Sequence, residues 1–488
     1  MKFVRQLQNK YLKLSVQARA SLWFVFCSVL QRGIAFITVP IFTRIMSTEQ
    51  YGYYNTYVSW YSILLVFTSM SLYYGVFNNA MIKFKEEKAR YVSSMQGLVC
   101  VLTAFVFVLY LIFQPYANAM LGLPTPLVLM LFAELLVTPA LQFWSAYNRF
   151  EYKYRNIIVV TLIKSIANPA LGIVLVLMAT DKAAARIAST VIVEVIVCGS
   201  IAVYQFCRGK CFFDRRFWKY AFLFNLPLIP HYLSGQILNQ SDRIMISRMV
   251  DNSAVAMYSV AYSIGLLMNI FTQAINGSYT PWFYQSVDKQ NYSAIKKTTQ
   301  MTSLLMACLV VLLMLFAPEV MEIIGGSKYR EAVYVIPPVA ASVFFIFMYN
   351  IFANVEFFFE KNKYVLFGSM VAAGLNLILN YIFIGIFGYI AAAYTTLFCY
   401  IAYCYLHQFF ARKVCAEKGL PGDLFNYRWV LMLSVAIVAI VIGMNFLYRS
   451  RALRYGIIIV LVAMGIIKRR EGKRVLAGLF STIRKRKE

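Results

Sequence analysis

The fold class predicted from the sequence is an all-α, polytopic membrane protein, and three observations predict it. Hydrophobic residues make up 61% of the 488 positions and charged residues only 14%. Apolar runs of bilayer-spanning length recur along the whole chain rather than gathering into one anchor, and such runs cross as helices because their backbone groups must be paired internally. Basic residues cluster in alternate connections, as the bias toward Lys and Arg in cytoplasmic loops requires.

Taken in order, apolar segments fall at 20–46, 53–80, 92–114, 125–147, 157–179 and 183–206, followed by a basic connector from Cys207 to Tyr220. Six more fall at 222–249, 254–284, 298–317, 332–358, 364–386 and 388–411, and a final pair at 429–447 and 453–467. That makes about fourteen spans, the last of them short. With the N-terminus (Lys2, Arg5, Lys10, Lys13, Arg19) read as an uncleaved cytoplasmic tail, the even-numbered connections hold the positive charge. They carry Lys83, Lys85, Lys88 and Arg90, then Arg149, Lys153 and Arg155, then Arg208, Lys210, Arg215, Arg216 and Lys219; the later ones follow suit. The stretch from Gln114 to Pro126, on the opposite side, has no charge. Arg449, Arg451 and Arg454 break the pattern before the last helix. The longest outside loop, Pro318 to Glu331, offers Glu319, Glu322 and Glu331, which read as solvated side chains.

The net charge of +27 is dispersed among these loops, so nucleic acid is not an expected partner. His231, His407 and the nine cysteines show no ligand spacing, and no GxxxxGK[ST] phosphate loop occurs, so no metal, cofactor or ATP hydrolysis is expected. The basic tail 468–488 surrounds the apolar patch VLAGLF and reads either as a segment lying on an anionic leaflet or as a solvated tail.

The halves repeat. A shift of 204 lays Thr43–Ser59 over Ser247–Ser263, matching Arg44 with Arg248, Tyr54 with Tyr258 and Ser59 with Ser263. A shift of 208 matches Asn168 with Asn376 and the Ala183–Ala185 run with Ala391–Ala393. Such near-constant offsets imply duplication. An even number of helices per repeat gives two lobes entering the membrane in the same direction, with a cavity expected between them. The domains are then an N-terminal lobe 1–213, a second lobe 214–413, two additional helices in 414–467, and the tail.

Polar groups mark the faces toward that cavity. In the second segment Asn55, Ser59, Ser62 and Ser69 share one helical face, and in the eighth Asn269, Gln273, Asn276 and Thr280 do the same. Such stripes either line a cavity or join helices by hydrogen bonds. A charge in a bilayer core costs roughly 2.5–3.5 kcal/mol, so each one needs a partner or water. Arg32 lies too deep to reach an interface easily. Lys164 shares a face with Asn168 and precedes Pro169, where a kink would free carbonyls, and it either lines the cavity or reaches back to the inner interface. Glu134 and Glu194 either partner these cations or carry a coupling proton. Asp242 and Arg243 lie in Pro227–Asn252, the opening stretch of the second lobe, near its outer end; they read as a gating or ion-pair element competing with substrate contact. His231 reads as a packed histidine or a proton switch. The excess of Arg32, Lys164 and Arg243 over Asp242 makes the cavity mildly cationic and suits an anionic head group.

PIFTRIMSTEQYGYY (Pro40–Tyr54) and SDRIMISRMV (Ser241–Val250) resemble the first-helix exit and seventh helix of polysaccharide and O-antigen flippases in the multidrug/oligosaccharidyl-lipid/polysaccharide exporter superfamily. The likeness extends over nearly the whole chain in helix number and loop pattern. It implies a MATE-like, V-shaped pair of lobes that alternates access and carries an undecaprenyl-diphosphate-linked oligosaccharide between leaflets of the bacterial inner membrane, for O-antigen, capsule or exopolysaccharide synthesis. It further implies that Arg32, Lys164 and Arg243 hold the diphosphate, and that the last two helices guide the lipid tail. The expected partners are this substrate, membrane lipids and polysaccharide polymerase machinery, with the chain itself a monomer. The competing expectations are a membrane-embedded glycan polymerase or glycosyltransferase, and a drug or cation antiporter on the same fold.

Overall fold

A computed structural model describes residues 16–467, without the side chains of parts of the first and last helices. The basic N-terminal residues Lys2–Lys13 and the tail 468–488 lie outside the described residues.

The described chain is helical throughout: α1 Val16–Ile45, α2 Thr48–Ser69, α3 Gly75–Lys83, α4 Lys88–Ile112, α5 Gln114–Leu121, α6 Thr125–Phe150, α7 Tyr154–Met178, α8 Lys182–Gly209, α9 Arg215–Asn225, α10 Ile229–Met249, α11 Asn252–Gly265, α12 Asn269–Asp288, α13 Tyr292–Ile324, α14 Ile336–Phe358, α15 Asn362–Phe387, α16 Tyr389–Glu417, α17 Tyr427–Leu447 and α18 Arg451–Ile467. Each of the fourteen expected segments has its helix. Ten described spans are long and apolar enough to cross a membrane. The outward faces carry apolar residues at helical spacing, such as Phe105, Val108 and Ile112 on α4 and Val159, Ile163 and Ile166 on α7, all exposed. So much exposed apolar surface fits lipid rather than water. Among the helices outside those ten are α2 and α10, whose polar content is what sets them apart.

Local chemistry sets the boundaries. Ser47, Asp181, Asp214 and Asn426 each accept a backbone N–H of the first turn of α2, α8, α9 and α17, the role that short polar side chains fill at helix starts. Arg216 also hydrogen-bonds Asp214 and holds its carboxyl below the usual range. Because that folded-state value is depressed, the cap's contribution is present at neutral pH and is lost as pH falls through it.

Three expectations are corrected. The second segment is not one helix to residue 80: the chain breaks after Ser69, with Met70 and Ser71 at φ 47 and 51. There the Ser69 hydroxyl bonds back to the Leu65 carbonyl and accepts the Ser71 amide, while Asn225 donates to the Met70 carbonyl at 2.8 Å. The seventh and eighth segments are likewise interrupted, by 3-10 turns at Leu226–Leu228 and Leu266–Met268. Pro318–Glu331 is not an open loop, since α13 runs on to Ile324 and a 3-10 helix spans Ser327–Val335. Of its three acids, Glu331 is exposed as expected and Glu322 makes an exposed pair with Arg330 at 3.1 Å, while Glu319 accepts from Arg454 and from the Tyr455 hydroxyl. Arg454 is only 3% exposed, so one of the three arginines that break the loop-charge pattern is held by an ion pair instead of by water.

Corresponding helices of the repeat agree in register. Asn168 and Asn376 each lie fourteen residues after the first residue of α7 and α15, and Tyr54 and Tyr258 each lie six after that of α2 and α11.

By contact the chain forms two compact units. Unit 1 is Met1–Ser259 with Ile324–Gly326 and Asn380–Tyr389; unit 2 is Val260–Ile323, Ser327–Leu379 and Ile390–Glu488. In unit 1, α8 packs against α6, α7, α4 and α2, while α10 lies along α2. In unit 2, α14 is the most enclosed element and packs against α12 and α17. Close approach in unit 1 requires glycine: a Cβ on Gly52 of α2 would lie 1.6 Å from the Asn252 carbonyl oxygen. Gly52→Ala is therefore expected to cost about 1–3 kcal/mol through overpacking, read as a lower melting temperature of the detergent-purified protein; an unchanged melt would contradict this packing.

Candidate functional site

The buried charges of unit 1 sit on α6, α7 and α8. Lys164 of α7 meets Glu194 of α8 at 2.6 Å, with Lys164 23% exposed and Glu194 6%. The thiol of Cys198, one turn further along α8, donates to Glu194 at 3.0 Å. On α6, Glu134 accepts from the Tyr57 hydroxyl of α2 at 2.9 Å. The structure thus joins two residues the sequence singled out, Lys164 and Glu194, and gives Glu134 a neutral partner from α2.

The cation that sequence reasoning missed is Arg186. It lies in the first two turns of α8, and its guanidinium donates to the Asn168 carboxamide oxygen at 2.7 Å, to Ser189 at 3.1 Å and to Thr190 at 3.2 Å. Phe42 and Tyr54 present their ring faces to it at 4.3 and 5.1 Å. Arg186 is 8% exposed, and among the described residues no carboxylate lies within ion-pair distance of it. Hydrogen bonds and ring faces stabilise a guanidinium without cancelling its charge; the buried acid whose field reaches it, Glu134, makes no direct ion pair with it. The signal was present in the sequence, because Arg186 directly follows the Ala183–Ala185 run, but that run served only to mark the repeat. Asn168, read as a cavity-lining residue, is the carboxamide that orients this arginine.

A second polar group centres on α10. Asp242 is fully buried and accepts from the Tyr258 hydroxyl and, at 2.6 Å, from Asn380. Arg243 donates to Ser259 at 3.0 Å and to the Asn239 carbonyl at 2.7 Å, with the Tyr258 ring 5.8 Å away. Tyr54 and Tyr258, equivalent by repeat, thus each face an arginine. The α2 stripe bonds largely to its own helix: Asn55, Ser59, Ser62 and Ser69 all donate to carbonyls four residues back. Ser59 also reaches Gln240 of α10 at 3.2 Å, so this stripe joins helices at least there. His231, in the first turn of α10, has its ring 5.9 Å from that of Tyr232.

Asn269, Gln273 and Asn276 lie on α12 in unit 2, a different unit from the residues above. Gln273 is exposed, the other two are half-buried, and the Asn276 side-chain oxygen is buried without a hydrogen-bond partner. Arg32 falls in α1, but its side chain lies outside the described residues. Unit 2 also contains a buried acid–base pair that the sequence reading did not single out: His407 Nδ1 and Glu356 are 2.7 Å apart and fully buried, with Tyr349 and Tyr403 against the imidazole. Glu356 closes the tenth expected segment, where its neighbours gave no polar stripe to mark it.

This helical arrangement is that of the multidrug and lipid-linked-oligosaccharide exporters. A lipid II flippase in an inward closed conformation superposes with a TM-score of 0.71 at 14% identity, covering 92% of this chain and 99% of its own. An inward-facing multidrug resistance MATE family transporter gives 0.64 at 13% identity, covering 80% and 96%. The family described as "Polysaccharide biosynthesis protein" matches residues 18–287, and the chain belongs to it; the MatE family matches residues 227–382. Among relatives, Lsg locus putative protein 1 of Haemophilus influenzae is 30% identical over 149 residues, 30% of this chain and 37% of the relative. The first two curated relatives are matched over only 37% and 50% of their own length. The probable low-salt glycan biosynthesis flippase Agl15 of Haloferax volcanii is matched over 89% of its length and 87% of this chain, at 20% identity. The succinoglycan biosynthesis transport protein ExoT of Rhizobium meliloti is 24% identical over 64% of this chain and 63% of its own. The relatives and neighbours named by function are flippases and transporters, not enzymes.

The Lys164–Glu194 pair makes a stability prediction. Lys164→Met would leave a buried carboxylate unpaired, at a cost toward the lower end of about 3–5 kcal/mol because Lys164 is 23% exposed. Adding Glu194→Met should recover most of that loss. Thermal melts of the single and double variants check it, and a double variant no more stable than the single would contradict it.

Proposed function

We propose that this chain is a flippase that carries a lipid-diphosphate-linked oligosaccharide across the bacterial inner membrane for surface polysaccharide synthesis, alternating access between the two repeat-related lobes. The observation that carries the reading is Arg186, a buried guanidinium whose described partners are all neutral. A guanidinium without an ion-pair partner keeps its fork open to a mobile anion, and a diphosphate presents oxygens in the geometry an arginine fork binds. Membership in the polysaccharide biosynthesis family and the glycan-flippase relative matched over most of its length support the oligosaccharide-lipid class.

In this reading Arg186, Arg32 and Arg243 serve the head group, and Asn269, Gln273 and Asn276 offer amides suited to sugar hydroxyls. Lys164 is held in reserve by Glu194, so substrate phosphate and Glu194 compete for one ammonium. Asp242, locked by Tyr258 and Asn380, is a gating element. Glu134, Glu194 and His231 are the candidates for coupling to a proton. The basic connections and both termini face the cytoplasm, helices α17 and α18 guide the lipid tail, and a polysaccharide polymerase acts downstream of a monomeric transporter.

The test is head-group translocation in proteoliposomes. Losing one charge-assisted hydrogen-bond set is worth roughly 1.5–3 kcal/mol, so Arg186→Gln should slow translocation about 10- to 100-fold when compared at equal amounts of folded, reconstituted protein, and Arg32→Ala should slow it as well. Transport by Arg186→Gln at the wild-type rate would remove Arg186 from the head-group site.

A further inference from the structure

Unit 1 has a polar cavity that the transport reading does not use. It is about 110 Å³ and opens between α4, α6, α7 and α8, at the end of the helices where the basic connections lie. Arg208 lies fourteen residues beyond Glu194 on α8, roughly 21 Å along the axis at 1.5 Å per residue, so this cavity is separate from the buried charges.

Its lining is that of an anion site with a specific neighbour. Arg208 lines it, donating to the hydroxyls of Tyr204 at 3.2 Å and Tyr147 at 3.4 Å, with its guanidinium 5.4 Å from the centre of the Tyr147 ring. Among the described residues no carboxylate is within ion-pair distance of Arg208. Lys153 is a second lining cation, 5.7 Å from the same ring centre. The nearby acid Glu151 pairs with Lys88 at 2.6 Å, lies 4.0 Å from Lys153 and is within electrostatic reach of Arg208, so three cations share one carboxylate and the lining stays net positive. Gln205 adds the independent observation. It is 5% exposed, its side-chain nitrogen donates to the Ala140 carbonyl at 3.0 Å, and its side-chain oxygen is buried without a partner. A buried amide oxygen left unpaired costs about 1–3 kcal/mol, a cost that a ligand hydroxyl would remove.

Two cations and one vacant acceptor together describe a phosphate carrying a hydroxylated substituent. The volume accommodates several waters and therefore one phosphate with a small head group. Just outside, Val159 on α7 and Val203 on α8 are exposed apolar residues on faces that the fold gives to lipid. A ligand held here by its phosphate would have its apolar part beside them, and basic pockets between membrane helices are suited to lipid head groups.

We infer that this pocket binds the head group of an anionic glycerolipid, with Arg208 and Lys153 on the phosphodiester and the Gln205 oxygen accepting a head-group hydroxyl. The inference is independent of glycan transport and is tested without it. The full-length protein, purified in detergent, is presented with phosphatidylglycerol or phosphatidylcholine, and retained lipid is counted by native mass spectrometry, with soluble glycerol phosphate as competitor. The expected result is at least 10-fold preferential retention of phosphatidylglycerol, a loss of about 10-fold in the Lys153→Gln/Arg208→Gln double variant, and partial recovery in Arg208→Lys, all at unchanged melting temperature. A single Gln205→Leu variant should weaken phosphatidylglycerol retention more than that of phosphatidic acid, which lacks the head-group hydroxyl. If the double variant retains phosphatidylglycerol as the wild type does, or phosphatidylcholine is held equally well, the site assignment is wrong. If glycerol phosphate displaces the lipid at equal concentration, the pocket takes a free anion and the lipid assignment is wrong. Translocation that persists in the double variant leaves the transport reading standing whatever the lipid result.

Discussion

A charge inside an apolar helical layer persists only where neighbouring groups offset its desolvation, and in the first unit one helix organises that compensation. Helix α8 carries Arg186 near its start, Glu194 at mid-length and Arg208 near its end. It packs on α6, α7, α4 and α2, the helices that supply Lys164, Asn168, Tyr54 and Tyr147. The three charges are compensated in three ways. Glu194 has an ion pair, Arg186 has neutral acceptors and ring faces, and Arg208 has hydroxyls at the rim of a cavity. Only the first is a direct ion pair. The other two leave a positive group available to a phosphate, one deep and one near the basic connections.

Helix α10 carries a buried charge of the opposite sign. Asp242 is fully buried, and its partners include Tyr258 and Asn380. Its neighbour Arg243 turns to Ser259 and to the carbonyl of Asn239. The glycine at position 52 lets the α2 backbone approach the start of α11 at Asn252. Polar α2 and α10 are joined by the Ser59–Gln240 hydrogen bond, where lipid offers no hydrophobic drive for association.

The helical, polytopic fold was legible in the sequence because apolar length and loop charge are properties of single segments. All fourteen expected segments contain a helix, and the repeat offsets place Asn168 and Asn376 at the same depth in theirs. What the sequence concealed depends on contacts. The break after Ser69 needs Asn225, which is distant in the chain, to take the Met70 carbonyl. Glu319 read as a solvated loop acid because its partner Arg454 lies 135 residues away. Lys164 and Glu194 were both visible, yet only packing shows that they meet. Arg186 and the His407–Glu356 pair sat in segments whose other features drew the reading toward repeat and hydropathy.

The proposed function rests on family membership and on a buried guanidinium with no ion-pair partner among the described residues, and its central proposal is that the chain moves lipid-linked oligosaccharide by its anionic linker. The most direct measurement reconstitutes the wild-type protein into liposomes holding a polyprenyl-diphosphate-linked oligosaccharide and follows exposure of the sugar to an external lectin. Polyprenyl-monophosphate and neutral polyprenyl glycosides of the same sugar serve as comparisons. The account predicts protein-dependent translocation that falls in the order diphosphate, monophosphate, neutral. Translocation no faster than in protein-free liposomes, or equal for all three linkers, would contradict it.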